Sequence, residues 1–206
     1  MKLLFNLRST RARRVAVADK ASGKLLNVVS QMNLIQFVAK QLAIVDEHND
    51  KVHLDELKQT VAACGCATFP ARTIDEHSTA YDAFKLLETS GVGGLAVVNS
   101  AGVITGNISA RDIKAFAKNP KMSFMALPVG QFMAQLRGEA IDIRAPVMSL
   151  LSTSTLRRAV FLFAGTRVHR LYIVDEPSFK PIGVFSLSDA IKALFAGAVA
   201  EMAPTE

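Results

Sequence analysis

Three stretches of the chain share one pattern of apolar and polar positions. Arg13–Asp19, Gly93–Asn99 and His169–Asp175 each open on two polar or small residues. Each then runs through Val, Ile, Leu and Ala almost without interruption and closes on Asp or Asn. A turn follows (Ser22-Gly23, Ser100–Gly102, Pro177–Lys180), and then a second apolar run that ends in serine: Leu25–Ser30, Val103–Ser109 and Ile182–Ser186. The turn-opening residue precedes the serine by 11, 10 and 11 residues, and the serines lie 79 and 77 residues apart. Such spacing predicts one supersecondary unit used three times. Each unit reads as two short strands around a turn. The runs are continuous, not alternating, which predicts strands covered on both faces.

Helical spacing flanks these strands. Leu34, Phe37, Val38 and Leu42 follow the first pair, Ile113, Phe116 and Ala117 the second, and Ile191, Leu194 and Phe195 the third. A helix also precedes the second and third pairs, with Ala80, Ala83, Phe84 and Leu87, and Leu156, Ala159, Val160 and Phe163, at i, i+3, i+4 and i+7. The first unit has only the end of such a helix, Leu3–Ser9. The order is strand, helix, strand, strand, helix, an α/β (α+β) unit too small to bury its own faces, so units are expected to pack in pairs. The division is a partial unit at 1–45, a linker helix at 46–65, a unit at 66–118, a linker at 119–144, a unit at 145–197 and a tail at 198–206. The first linker is expected to be helical, with Leu54, Leu57 and Val61 on one side. The second, rich in Met and Phe, is expected to be a packing arm between modules. Ser152–Thr155 reads as the cap of the helix that begins near Leu156.

Composition narrows the classes. Half of the 206 residues are hydrophobic and a fifth are charged, so the chain can build a core. No apolar run is long enough to span a bilayer. The net charge of +6 admits anionic partners. Arg8, Arg11, Arg13 and Arg14 suggest nucleic acid, but no zinc finger or aromatic-rich RNA-binding signature accompanies them, so nucleic acid is not the expected partner. Met1–Arg14 superficially resembles a transit peptide, with membership of the repeated unit as the competing explanation. Cys64 and Cys66 are too close for an expected disulfide and too few for a zinc site, which suits a reduced, intracellular setting. No nucleophile elbow, P-loop or H-E-x-x-H motif occurs, so no enzyme is expected.

The strongest chemical signal closes each second strand: Gly106-Asn107-Ile108-Ser109-Ala110-Arg111-Asp112 and Gly183-Val184-Phe185-Ser186-Leu187-Ser188-Asp189. A single Ser-x-x-Asp before an apolar helix is a capping box. Here it recurs at the carboxyl end of a strand, where open α/β layers bind ligands. A carboxylate there can accept both hydroxyls of a ribose, and nearby amides can hold phosphate. Arg13-Arg14 and His169-Arg170 occupy one repeated slot opening the preceding strand, suited to phosphate.

These units resemble cystathionine-β-synthase-type (CBS) motifs, two complete and one partial, which pair as a Bateman module. The stretch VHRLYIVDEPSFKPIGVFSLSDAIKAL is similar to the last CBS motif of the γ regulatory subunit of AMP-activated protein kinase and its yeast and plant counterparts. In that family one motif keeps the basic pair without the ribose aspartate, and the next keeps the aspartate without the basic pair. Here Arg13-Arg14 stands with Asn33, and Asp112 with Gly93-Gly94.

The resemblance implies a non-catalytic sensor of AMP, ADP or ATP with no further cofactor. Asp112 and Asp189 would bind ribose. Arg13, Arg14, His169 and Arg170 would contact phosphates, Ser109, Arg111, Ser186 and Ser188 would line the sites, and Thr68 would lie near the base. It implies a kinase catalytic subunit and a β-type scaffold subunit as partners, CBS pairing as a route to a homodimer, and a cytoplasmic or nuclear location away from membranes. The sequence also departs from the family. It reads as N-terminally truncated, without the first motif and without the start of the second, which would expose a core edge. Met32 stands where animal relatives have a lysine. The competing reading is a CBS interaction module with degenerate ligand sites.

Overall fold

The computed structural model describes residues 12–47, 55–118, 120–139 and 147–196. Leu3–Ser9, Leu54 and the end of the second linker lie outside them. The described residues divide into two compact units, one within Met1–Ala67, Ser152–Leu171 and Phe185–Glu206, the other within Thr68–Leu151 and Tyr172–Val184.

The elements follow the predicted order. β1 (Arg14–Ala18) and β2 (Leu25–Ser30) lead into α1 (Gln31–Glu47). β3 (Thr73–Asp75), α2 (Ala80–Ser90), β4 (Gly94–Val98), β5 (Ile104–Ser109) and α3 (Asp112–Phe116) form the second repeat. α4 (Val129–Glu139) follows. β6 (Ser149–Leu151), α5 (Leu156–Thr166), β7 (Arg170–Val174), β8 (Pro181–Ser186) and α6 (Leu187–Leu194) form the third. The sheets run β1-β2, β3-β4-β5 and β6-β7-β8. The short first strand lies parallel to the second (Thr73↔Ala96, Ser149↔Tyr172), and β4 and β5 are antiparallel. Two complete copies of the predicted unit and the closing strand pair and helix of another are thus present.

The second unit is built on the second repeat. Ala80, Ala83 and Leu87 of α2, Leu95 and Val97 of β4 and Ile108 of β5 form its core, joined by Phe116, Val129 and Phe132. Thr79 caps α2, its hydroxyl accepting from the Asp82 amide at 3.1 Å. Phe132 meets Phe84 edge-on at 5.7 Å between ring centroids. The Met- and Phe-rich linker is therefore part of one motif's core, not an arm between modules. Val129 and Phe132 recur at helical spacing, and burying a side chain of that size contributes about 2–3 kcal/mol.

The first unit is helical. α1 packs against α5 and α6. The α5 face matches its sequence pattern, with Leu156, Ala159, Val160 and Phe163 all buried. Thr155 is its N-cap, accepting from the Arg158 amide at 3.3 Å. Among the described residues of the first linker, the helical segment is a 3-10 turn, Asp55–Lys58. Leu57 and Val61 are buried as expected, but Thr60 bridges Thr155, and the Val61 amide donates to the Ser154 carbonyl at 2.8 Å. These cross-links draw the segment onto the start of α5.

Two expectations for the first repeat fail. The buried face of α1 is Gln31, Ile35, Ala39 and Leu42, while Phe37 is 60% exposed. β1 and β2 are not covered on both faces: Arg14, Ala16 and Ala18 of β1 are exposed, where the equivalent strands β4 and β7 are almost wholly buried, and Leu25, Leu26 and Val28 of β2 are exposed as well. Among the described residues no third strand lies beside this pair, and the same apolar run meets solvent.

Candidate functional site

Each repeat closes its second strand with the same local structure. In the third, the Ser186 amide and hydroxyl donate to Asp189 Oδ2 at 2.9 and 2.7 Å, and the Asp189 amide donates back to Ser186 Oγ at 3.3 Å. In the second, the Ser109 amide and hydroxyl donate to Asp112 Oδ2 at 2.7 and 2.8 Å. In the first, Asn33 Oδ1 takes the carboxylate's place, accepting from the Ser30 amide and hydroxyl at 3.0 and 2.6 Å, and the Asn33 amide donates to Ser30 Oγ at 3.1 Å. A neutral amide thus builds the box as a carboxylate does. Both Asp112 and Asp189 use Oδ2 for these two bonds, which leaves Oδ1 outside the box.

The basic slot is tied to the box by the backbone. The residue after the serine donates its amide to the carbonyl that opens the preceding strand: Gln31 to Arg13 at 3.1 Å, Ala110 to Gly93 at 3.4 Å, Leu187 to His169 at 3.2 Å. This offset sets the strand register. Arg14 lies directly opposite Ser30, and Gly94 opposite Ser109. Directly opposed residues of an antiparallel pair point to one face. The slot's second residue and the box serine therefore share a side, and the same amide bond fixes the same offset for Arg170 and Ser186.

Seven expected residues belong to the first unit: Arg13, Arg14, His169, Arg170, Ser186, Ser188 and Asp189. Thr68, Ser109, Arg111 and Asp112 belong to the second. Asp112 is buried and Arg111 exposed. Thr68 is exposed, and its backbone pairs with Val184 of β8 by reciprocal 2.9 Å bonds.

The first and third repeats meet at their helix starts. Gln31 Nε2 donates to Ser188 Oγ at 3.0 Å, and Ser188 Oγ lies 3.3 Å from Gln31 Oε1. Gln31 Nε2 also lies 3.3 Å from the Ala12 carbonyl. Buried and polar at the first position of α1, Gln31 was missed by sequence reasoning, which gave no weight to a lone glutamine after the serine. Cys66 was missed as well. Burial pushes its thiol above the usual range, Cys64 and the Asp189 carboxylate push it further, and Lys192 opposes them. The start of α6 thus brings a carboxylate and hydroxyls together, with the basic slot held one backbone bond away and the Cys66 thiol within electrostatic reach. A carboxylate beside a basic slot suits a ligand with a diol at one end and an anion at the other. Among the described residues no group of three or more His, Cys, Asp or Glu is arranged to hold a metal, and no helix is long and apolar enough to cross a membrane.

Repeated strand–helix–strand–strand–helix motifs, each opening its last helix with a serine-led box, define a class of tandem regulatory-type modules. The chain belongs to the CBS-domain family, whose profile, described as CBS domain, matches residues 66–119 and 139–196. Among curated proteins, protein sds23/moc1 of Schizosaccharomyces pombe is 24% identical over 219 residues, covering 94% of this chain and 52% of that protein. The 5'-AMP-activated protein kinase subunit gamma-3 of Bos taurus is 27% identical over 192 residues, covering 93% of this chain and 37% of that subunit. The chain therefore spans about half or less of these relatives. An uncharacterized conserved protein from Pyrococcus horikoshii shares the fold with a TM-score of 0.65 at 18% identity, covering 94% of this chain and 74% of that one.

Proposed function

We propose that this chain is a non-catalytic regulatory CBS protein that binds an adenine nucleotide (AMP, ADP or ATP) at the start of α6. Its bound state would be read by a protein kinase catalytic subunit and a scaffold subunit. One observation supports the reading: the Leu187 amide donates to the His169 carbonyl at 3.2 Å, which ties the backbone of the basic slot to the start of α6. Asp189 Oδ1 would accept from the ribose hydroxyls, Arg170 and His169 would meet phosphate, and Arg13 and Arg14 of the same unit would add charge. Regulation requires that the nucleotide bind two arrangements of the protein unequally. The likeness to gamma-3 subunits supports the kinase partner.

A second reading is a CBS interaction module with decayed sites. Asn33 in the first box, Gly93-Gly94 in the second basic slot and the engagement of Ser188 by Gln31 favour it. Calorimetric titration with AMP and with ATP separates the two. Saturable heat that Asp189→Asn and Arg170→Ala each reduce supports the sensor. No heat at millimolar nucleotide, with a kinase partner still retained in pull-down, supports the interaction module.

A further inference from the structure

The turn that closes the first linker holds both cysteines of the sequence. Cys64 and Cys66 are free and half-buried. Gly65 between them sits at φ +66°, a left-handed conformation that glycine adopts without a steric penalty. It bends the chain over one residue, and the two thiols lie within electrostatic reach of each other. Cys64 Sγ also donates to the Val61 carbonyl at 3.3 Å, which orients it. Cys66 lies within electrostatic reach of Asp189 and Lys192 on α6. None of this is needed to cap α6 or to bind a nucleotide.

Spacing alone does not predict a disulfide here, but the left-handed turn at Gly65 changes that expectation, and we infer that Cys64 and Cys66 are an oxidisable dithiol that a hydroperoxide closes to an intrachain disulfide. The Cys64 thiolate attacks one peroxide oxygen, the O–O bond breaks, and Cys64 becomes a sulfenic acid while the departing oxygen leaves as hydroxide or alkoxide and takes up a proton. The Cys66 sulfur then attacks Cys64 Sγ. The S–S bond forms, the S–O bond breaks, and the released hydroxide takes the Cys66 proton to become water. The two thiols together lose two electrons and two protons, and the peroxide is reduced. Burial holds Cys66 more firmly as the thiol, which leaves Cys64 to react first with the peroxide. The turn at Gly65 keeps the two cysteines on one bend of the chain, so the second step is intramolecular.

Intact-mass measurement of the dilute full chain after hydrogen peroxide tests this without reference to nucleotide binding. Expected is a loss of about two mass units, reversed by dithiothreitol, with both cysteines resistant to alkylation until reduction. With two cysteines in the chain, that loss can only be this bond. Oxygen addition without the loss, or a disulfide-linked dimer, overturns the proposal. Cys66→Ser is expected to replace closure with oxygen addition at Cys64. A Cβ at position 65 meets open space, so Gly65→Val tests conformation alone. A β-branched residue resists positive φ, and closure is expected to slow several-fold. An unchanged rate would remove the turn's role.

Discussion

Gln31 and Ser188, 157 positions apart, hold each other across two repeats, with a 3.0 Å bond from the amide nitrogen to the hydroxyl. The pair ties the first residue of α1 to the first turn of α6. Gln31→Ala and Ser188→Ala are each expected to destabilise the protein by about 1 kcal/mol. In a double-mutant cycle by urea denaturation the two losses should not add, because either removes the same bond. Full additivity would show that the contact contributes nothing of its own.

Asp189 has two separable roles, and Asn33 shows how to divide them. An amide oxygen can accept the box bonds as a carboxylate does. Asp189→Asn is therefore expected to keep stability within about 0.5 kcal/mol, while Asp189→Ala loses about 1 kcal/mol with the cap. Both should abolish nucleotide heat, since an asparagine whose oxygen serves the box presents an NH2 group that cannot accept from ribose. Thermal melts and calorimetry on the two variants read the roles independently.

Gly183 has no room for a side chain. A Cβ there would lie 2.5 Å from the Phe69 ring. Gly183→Ala is expected to cost about 1–3 kcal/mol through overpacking. Phe69 is about half exposed, so Phe69→Ala in the same chain should recover much of that loss. A double variant no more stable than Gly183→Ala would show that the ring is not the obstacle.

Phe132 measures whether the second linker is structural. It is fully buried between Phe84 and Phe116. Phe132→Ala is expected to cost about 3–5 kcal/mol, seen as an earlier urea midpoint. A loss below about 1 kcal/mol would restore the reading of this segment as a packing arm between modules.

Cys66 gives a pH dependence with a definite sign. Its folded pKa is raised, first by burial. The unfolded chain releases this proton more readily, so the stabilisation is complete below the unfolded pKa. It is lost as pH rises through the folded one. Stability should fall as pH rises above about 8.5, the ordinary thiol value, and Cys66→Ser should flatten that fall. An unchanged slope would assign it to other groups.

Much of this architecture was legible in the sequence, and the failures have physical causes. α2 was readable because Ala80, Ala83, Phe84 and Leu87 fall on one stripe, and α5, although apolar without a break over 159–164, buries the face through Leu156, Ala159, Val160 and Phe163 that its spacing predicts. α1 carries Leu34, Ile35, Phe37, Val38, Leu42 and Ile44 around most of its circumference. Spacing then offers several faces, and packing against α5 and α6 selects the one through Ile35 and Ala39. Leu57 and Val61 have helical spacing, but hydrogen bonds to the start of α5 override it. The boxes were readable because they are local. The Gln31–Ser188 and Cys66–Asp189 neighbourhoods join segments that no spacing rule connects.

The amide bond from the residue after each serine to the strand opposite does not depend on any side chain. A repeat can therefore shed its arginine, as at Gly94, or its acid, as at Asn33, and still be assembled the same way. Scaffold and recognition are separate inheritances in this chain. An intact serine-led motif guarantees the geometry of a pocket's rim and says nothing, by itself, about whether anything is held there.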